Sequence, residues 1–410
     1  MSDLGDVLRQ VVCTPKHIPG DWQFYKLTDI CNPKQWKTIS ATEMTESGYP
    51  VFGANGFVGF YHEYNHEHEA VAITCRGNTC GTINRIPPRT YITGNSMALD
   101  DIKKNVITQD YLYYALKYRG VGDSISGSAQ PQITGAGLRS IEFPAPPLPE
   151  QQKIAIILSS VDDVIEKTRA QIDKLKDLKT GMMQELLTNG IGHTEFKDSP
   201  VGRIPEVWNV VELGNVAKLE RGRFSHRPRN DPQFYGGNIP FLQTGDIPKE
   251  APQITCFSQT LNEKGLKISK LFLKGTLVIT IAATIGEIGI LEFDSCFPDS
   301  LVGIKVNQQK AKPMFILYLM RHLKSELESL APQTAQKNIN LDILQPFQIP
   351  LPSAEEQELI ANAIGSVDVR VNVLLEKLER TKSTKKALMQ DLLTGKVRVN
   401  LNESAAIENG

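Results

Sequence analysis

The chain has 410 residues, of which 40% are hydrophobic and 22% charged, and its formal net charge is −1. That length exceeds what one core accommodates and predicts two or more domains. Near-neutral charge neither demands nor excludes nucleic acid, so any such surface must be local.

The opening MSDLGDVLRQ lacks the basic start and apolar core of a signal peptide, and no apolar run approaches membrane-spanning length. Both features predict a cytoplasmic protein with no membrane partner. Six cysteines (Cys13, Cys31, Cys75, Cys80, Cys256, Cys296) show no paired spacing and are expected to be reduced. After an N-terminal segment, residues 1–18, the string PGDWQFYKL from Pro19 predicts a Pro-x-x-Trp step into an alternating strand. Between Gly48 and Ile86, apolar runs broken by Gly, Asn and Pro indicate an α/β domain on a twisted sheet with long loops. Within it, His62-Glu63-Tyr64-Asn65-His66 has the spacing of a zinc-protease motif. That chemistry needs both histidines on one helix face and a third ligand. The string instead leads straight into the strand-like AVAIT, so a solvated loop without metal is expected. Arg76, Asn78, Asn84, Arg85 and Arg89 make a thin basic patch, and YLYYALKY from Tyr111 predicts an aromatic-rich amphipathic helix. The glutamine-rich SAQPQIT, with Gln130, suits either contacts to bases and phosphates or capping and packing.

Glu150 to Thr188 then reads as one long helix, and Glu356 to Thr394 is its second copy at a constant offset of 206 residues without a gap. A heptad register puts Ile154, Val161, Thr168, Leu175 and Met182 on one seam position and Leu158, Ile165, Ile172, Lys179 and Leu186 on the other. The offset carries it to Ile360, Val367, Leu374, Thr381 and Leu388, and to Ile364, Val371, Leu378, Lys385 and Leu392. Apolar residues at period 3.5 over about five heptads indicate a coiled coil, and each helix would span roughly 58 Å. Such seams must be covered. Burial against each other in an antiparallel pair is the economical solution; packing of each on its own globular domain is the other.

The repeat extends beyond the helices, since Ala129, Gln130, Ile133, Leu138 and Pro144 match Ala335, Gln336, Ile339, Leu344 and Pro350 at the same offset. PEVWNVVEL from Pro205 repeats the Pro-x-x-Trp strand, FILYLMRHL from Phe315 repeats the aromatic helix, and PQTAQKNIN repeats the glutamine-rich loop with Gln336. The second half has its own inserts: Arg221 to Ile247, and a predicted hairpin from Gly275, GTLVITIAATIGEIGILEF. Arg221, Arg223, Arg227 and Arg229 form the strongest basic cluster, and arginine suits phosphates and guanine edges. Asp231-Pro232-Gln233-Phe234 lacks the second proline of an amino-methyltransferase motif, and neither a P-loop nor a dinucleotide fingerprint occurs. No catalytic residue, cofactor or metal is therefore expected on this chain.

The linker HTEFKDSPVGRIPEVWNVVELGNV, the helix entries LPEQQKIA and EEQELIA, and the Leu-Leu-Thr exits resemble the specificity subunit of type I restriction-modification systems, from about Pro19 to Val399. The resemblance implies an α/β (α+β) fold: two target-recognition domains (19–149 and 193–353), two spacer helices (150–192 and 354–397) in an antiparallel coiled coil, an internal pseudo-twofold repeat, and a tail, 398–410. Each domain would read half of a bipartite double-stranded DNA site, with the helices setting the gap and docking modification subunits, two of them expected. The resemblance further implies restriction subunits joining through the complex, with S-adenosylmethionine, ATP and Mg on those partners. The DNA contacts expected on this chain are Arg76, Asn78, Arg85, Gln130, Arg221, Arg223, Arg227, Arg229 and Gln336. A coiled-coil scaffold whose two domains bind ligands other than DNA is the alternative.

Overall fold

The computed structural model describes residues 18–54, 56–127, 130–226, 230–282, 284–331 and 338–401. The chain divides into two compact units, one of Met1–Arg169 with Lys377–Gly410 and the other Ala170–Glu376. Its principal helices are α1 (Gln109–Arg119), α2 (Leu148–Thr188), α3 (Pro313–His322) and α4 (Ala354–Leu393). The long helices α2 and α4 each begin two residues before the expected glutamate, and each is divided between the units. No helix among the described residues is long and apolar enough to cross a membrane.

In the first unit the strands are β1 (Gln23–Lys26), β2 (Asn32–Gln35), β3 (Tyr49–Gly53), β4 (Gly56–Tyr61), β5 (Ala70–Thr74), β6 (Ile83–Ile86), β7 (Tyr91–Ile92), β8 (Ser96–Asp100), β9 (Ile125–Ser126), β10 (Gln132–Ile133) and β11 (Glu142–Ala145). Strands β2-β8-β5-β6 form one sheet and β4-β3-β7 another. Alternation along β5 separates two faces. Val71 and Ile73 join Ile83, the aromatic residues of α1 and the ends of both long helices (Ile154, Leu158, Leu392, Leu393) in one core. Ala70 and Ala72 face Ile86, Ile92 and Ala98, with Phe52 of β3 against them. The strand after Pro19 pairs antiparallel with β11, Gln23 opposite Ala145.

The second unit carries β12 (Phe196–Ser199), β13 (Gly202–Pro205), β14 (Asn209–Glu212), β15 (Ala217–Arg221), β16 (Tyr235–Phe241), β17 (Gln253–Ile254), β18 (Gln259–Leu261), β19 (Leu271–Phe272), β20 (Leu277–Thr280), β21 (Ile288–Leu291), β22 (Ser295–Cys296), β23 (Leu301–Val306) and β24 (Gln348–Leu351). Its larger sheet runs β15-β23-β20-β21-β17, and the expected hairpin from Gly275 is the antiparallel pair β20–β21. One face packs α3 together with Trp208, Leu187, Ile360 and Ile364. The other packs Phe272 and Phe297 under the sheet β18-β16-β22-β19. Here β14 pairs with β24, Asn209 opposite Leu351, so the Pro-x-x-Trp strand has the same partner as in the first unit.

One expectation needs correction. The aromatic helices are not amphipathic: Tyr111–Leu116 in α1 and Phe315–Met320 in α3 are buried on every side, because each lies between its sheet and the long helices. Ile154, Leu158, Ile360 and Ile364, at the helix starts, are wholly buried within domain cores, while Ile165, Ile172, Val371 and Leu378 are buried further along. At the exit of α2 the deeply buried side chain is Leu187 rather than Leu186, and Leu393 joins Leu392 at the exit of α4. A straight helix drifts about 20° per heptad from a 3.5-residue register, which moves the buried face by one position over this length.

Cys31, Cys75, Cys80, Cys256 and Cys296 are free, as expected, and burial pushes the Cys31 thiol up to about 12; Cys13 lies outside the described residues. So does nearly all of the N-terminal segment, residues 1–17.

Candidate nucleic-acid interface

The loops that differ between the halves hang on a frame whose polar contacts occur twice. In the first unit the seam lysine Lys385, 9% exposed, is ion-paired with Asp162, whose other oxygen accepts the Tyr114 hydroxyl at 2.8 Å. In the second, Lys179 meets Asp368 at 2.5 Å and the Tyr318 hydroxyl donates to the same carboxylate at 2.7 Å. Burial lowers the Lys385 pKa, which the Asp162 hydrogen bond opposes, and burial with the carboxylate contact raises both tyrosines. These aspartates end matching Ser-Val-Asp triplets, Ser160–Asp162 and Ser366–Asp368. Sequence reading missed the pairing, although a lysine inside an apolar seam signals that a counter-ion must lie opposite.

The helix entries are tied down alike. Gln151 accepts from the Thr108 amide at 2.9 Å and donates to the Pro146 carbonyl, while Gln357 accepts from the Lys312 amide at 2.8 Å and donates to the Pro352 carbonyl. Each glutamine thus fastens the start of a long helix to the start of its aromatic helix. Glu150 binds Arg398, which also forks onto Asp21. Glu356 instead accepts from His193, the Trp208 indole and the Ile191 amide. Beside each lysine pair lies a cavity, about 410 Å³ in the first unit and about 510 Å³ in the second. The helices line the first with Asp162, Ile165, Glu166, Arg169, Lys382 and Lys385. They line the second with Asp368, Val371, Asn372, Leu375, Lys176 and Lys179, the same six positions at the offset of 206.

On this frame the structure brings together three of the expected DNA contacts. Arg76 and Asn78 are exposed on the β5–β6 loop. That loop is clasped to the Gln130 loop: the Ile133 amide donates to Cys75 at 3.0 Å, the Gly77 amide to Pro131 at 3.3 Å, and Arg76 bridges Gln132. Arg85 is not part of that group. It stands on the β6 face shared with Ile83, is paired with Asp110 at 2.8 Å, and lies over the rings of Tyr113 and Tyr114. In the second unit the Ile339 amide donates to Ile281 at 3.0 Å and Ala282 bridges Asn338, so Ala282 takes the place of Arg76 on the same backbone clasp.

The second unit's basic cluster begins where β15 ends. Arg221 donates to the Asp299 carbonyl at 2.5 Å and Arg223 to the Ser269 carbonyl at 3.0 Å, both side chains remaining on the exposed side. Phe224, 3% exposed among Phe234, Phe241, Leu261 and Cys296, anchors the segment. Arg227, Arg229 and Gln336 lie outside the described residues.

The motif-like strings have structural roles. His62 is exposed just after β4, whereas His66 is largely buried, 2.9 Å from Asp100 and edge-on to Trp36, which corrects the expectation of a solvated loop at that end. No group of three metal-ligating side chains occurs among the described residues. Asp231 caps the short turn Pro232–Phe234 by accepting from the Gln233 amide.

Two dissimilar loop sets on one repeated frame is the arrangement on which relatives can be judged. Residues 19–177 and 205–381 match the type I restriction modification DNA specificity domain. The chain belongs to that specificity family. The putative type I restriction enzyme MjaX specificity subunit of Methanocaldococcus jannaschii is 33% identical over 410 residues, spanning 93% of this chain and 95% of its own. The MjaVIII specificity subunit of the same organism is 28% identical over 417 residues, spanning 94% and 95%. Among solved structures, the type I restriction-modification S subunit from M. genitalium superposes with a TM-score of 0.67 at 14% identity, covering 93% of this chain and 97% of its own. A chain from a structure concerned with complex assembly of the type I system superposes at 0.52, with 17% identity and coverage of 93% and 100%. Those likenesses give the fold of a specificity subunit with two recognition domains and mixed α/β content, and the family's role is recognition of a bipartite DNA sequence.

Proposed function

We propose that this chain reads DNA without catalysing a reaction, residues 19–149 serving one half of an interrupted site and 193–353 the other. The helical stretches 150–192 and 354–397 form an antiparallel coiled coil that sets the gap between half-sites and docks two modification subunits. Residues 1–18 and 398–410 flank this assembly, and the chain works in the cytoplasm. Half-sites one turn apart lie about 34 Å along the duplex, within reach of helices of this length. Methyl transfer, S-adenosylmethionine, ATP and Mg belong to the modification and restriction partners, where an adenine drawn out of the duplex would be methylated.

The observation that supports this reading most is the recurrence of one frame, with its Lys-Asp-Tyr contact, glutamine clasp and six-position cavity lining, beneath loops that differ. A repeat of that kind suits one task performed on two targets. On each frame, lysines and arginines supply salt-dependent phosphate affinity, and loop side chains choose the sequence. Arg76, Asn78 and Gln130 do so in the first domain and Arg221, Arg223, Arg227, Arg229 and Gln336 in the second; Arg85, paired with Asp110, contributes to the frame. The test is affinity for duplex DNA at 50 and 200 mM salt. A steep loss with salt is expected, whereas salt-independent or absent binding favours a scaffold whose domains bind other ligands.

A further inference from the structure

In the first unit the ribbon β3–β4 leaves two large apolar side chains in water, Phe57 at 60% exposure and Val58 at 45%. They lie on the outer strand of the sheet β4-β3-β7, where the Thr45 amide donates to the Phe60 carbonyl at 2.9 Å. An apolar edge of this kind invites unwanted pairing, and proteins ordinarily blunt it with charge or proline. Here the ribbon is built to hold the pair outward. A Cβ on Gly53 would come within 2.8 Å of Val58, so Val58 lies directly across a glycine backbone, and Phe57 leans edge-on against Phe60 with ring centroids 5.1 Å apart. The end of the ribbon is also fixed in place: the Ala54 carbonyl accepts from Thr74 and Thr79, each at 3.1 Å, at the two sides of the loop that carries Arg76 and Asn78. The ribbon that carries Phe57 is therefore tied, through Ala54, to the loop of Arg76 and Asn78. The ribbon belongs to an insert and not to the repeated frame.

We infer that this ribbon enters the major groove of the first domain's half-site and that Phe57, flanked by Val58, reads a thymine there through its 5-methyl group. The inference rests on the DNA-reading function proposed above. Two strands about 4.8 Å apart make a ribbon that a groove about 12 Å wide admits. The thymine methyl is the apolar feature on the groove floor, and contact with phenylalanine distinguishes it from the other bases. Arginine and asparagine on the clasped loop supply the polar half of the reading.

The test uses the full chain with its modification subunit and duplexes in which single thymines are replaced by uracil, which removes only the methyl. For the wild-type chain, uracil at one position of one half-site is expected to weaken binding about four-fold, the contribution of one buried methyl-sized group. Phe57→Ala loses a similar factor on the thymine duplex and becomes indifferent to the replacement, while Phe57→Leu retains part of the discrimination. A Phe57→Ala chain as sensitive to uracil as the wild type overturns the inference, as does a wild-type chain indifferent to uracil at every position. Wild-type protein with no salt-dependent DNA binding at all refutes the DNA-reading function itself.

Discussion

Asp368 is the residue whose loss the frame should tolerate least. Asp368→Asn keeps the shape and an acceptor for Tyr318 but leaves the Lys179 ammonium without a counter-charge at a site where its side chain is 14% exposed and Asp368 was 11% exposed. Removing one partner of a buried ion pair costs about 3–5 kcal/mol, and residual solvent access places this case near about 3 kcal/mol. Asp162 in the first unit is 32% exposed, so water screens more of the deficit and Asp162→Asn should cost about 1–2 kcal/mol. Urea unfolding followed by circular dichroism measures both losses. The combined change Lys179→Met, Asp368→Leu and Tyr318→Phe removes charges and hydroxyl together and should recover most of the loss, because a buried pair is often replaceable by apolar groups of similar volume. An effect below about 0.5 kcal/mol for Asp368→Asn, a level typical of surface positions, or a larger loss for Asp162→Asn, would refute the account of the seam lysines as buried charges each paired with one carboxylate.

Other consequences are as direct. Burial lowers the His322 pKa from 6.5, so the unfolded chain takes up this proton at higher pH than the folded one; stability should fall as pH drops below 6.5, and His322→Gln should lessen that fall in thermal unfolding at pH 7.5 and 5.5. Glu356→Gln weakens the charge-assisted bonds to His193 and the Trp208 indole, and about 1.5–3 kcal/mol of stability should go with them, accompanied by a shift in tryptophan emission; unchanged emission and stability would contradict that role. Arg76→Ala should reduce the slope of log affinity against log salt by about 1 and leave the second half-site untouched, so an unaltered slope would remove the β5–β6 loop from the phosphate contacts.

Much of the frame is legible in the sequence because it is written twice: the helices, the paired Pro-x-x-Trp strands and the Ile133 and Ile339 loop ends all stand at their expected places. What the sequence hid depends on distance through space. Asp162 and Lys385 lie 223 residues apart, so neither marks the other in a local pattern. The first aromatic helix carries Lys117 and Arg119 at its final turn, yet Tyr111–Leu116 before them are all enclosed. Arg85 looked equivalent to Arg76, but strand alternation turns it toward α1 and a carboxylate. Phe57 carried no signal, since an aromatic in a strand reads as core until its exposure is known.

The most direct test of the central claim is to express the chain together with its modification subunit in a host lacking both and to map methylated adenines by single-molecule sequencing. The account predicts one interrupted motif, absent when this chain is omitted. A stable complex that adds no methylation, or methylation at an uninterrupted site, would contradict it.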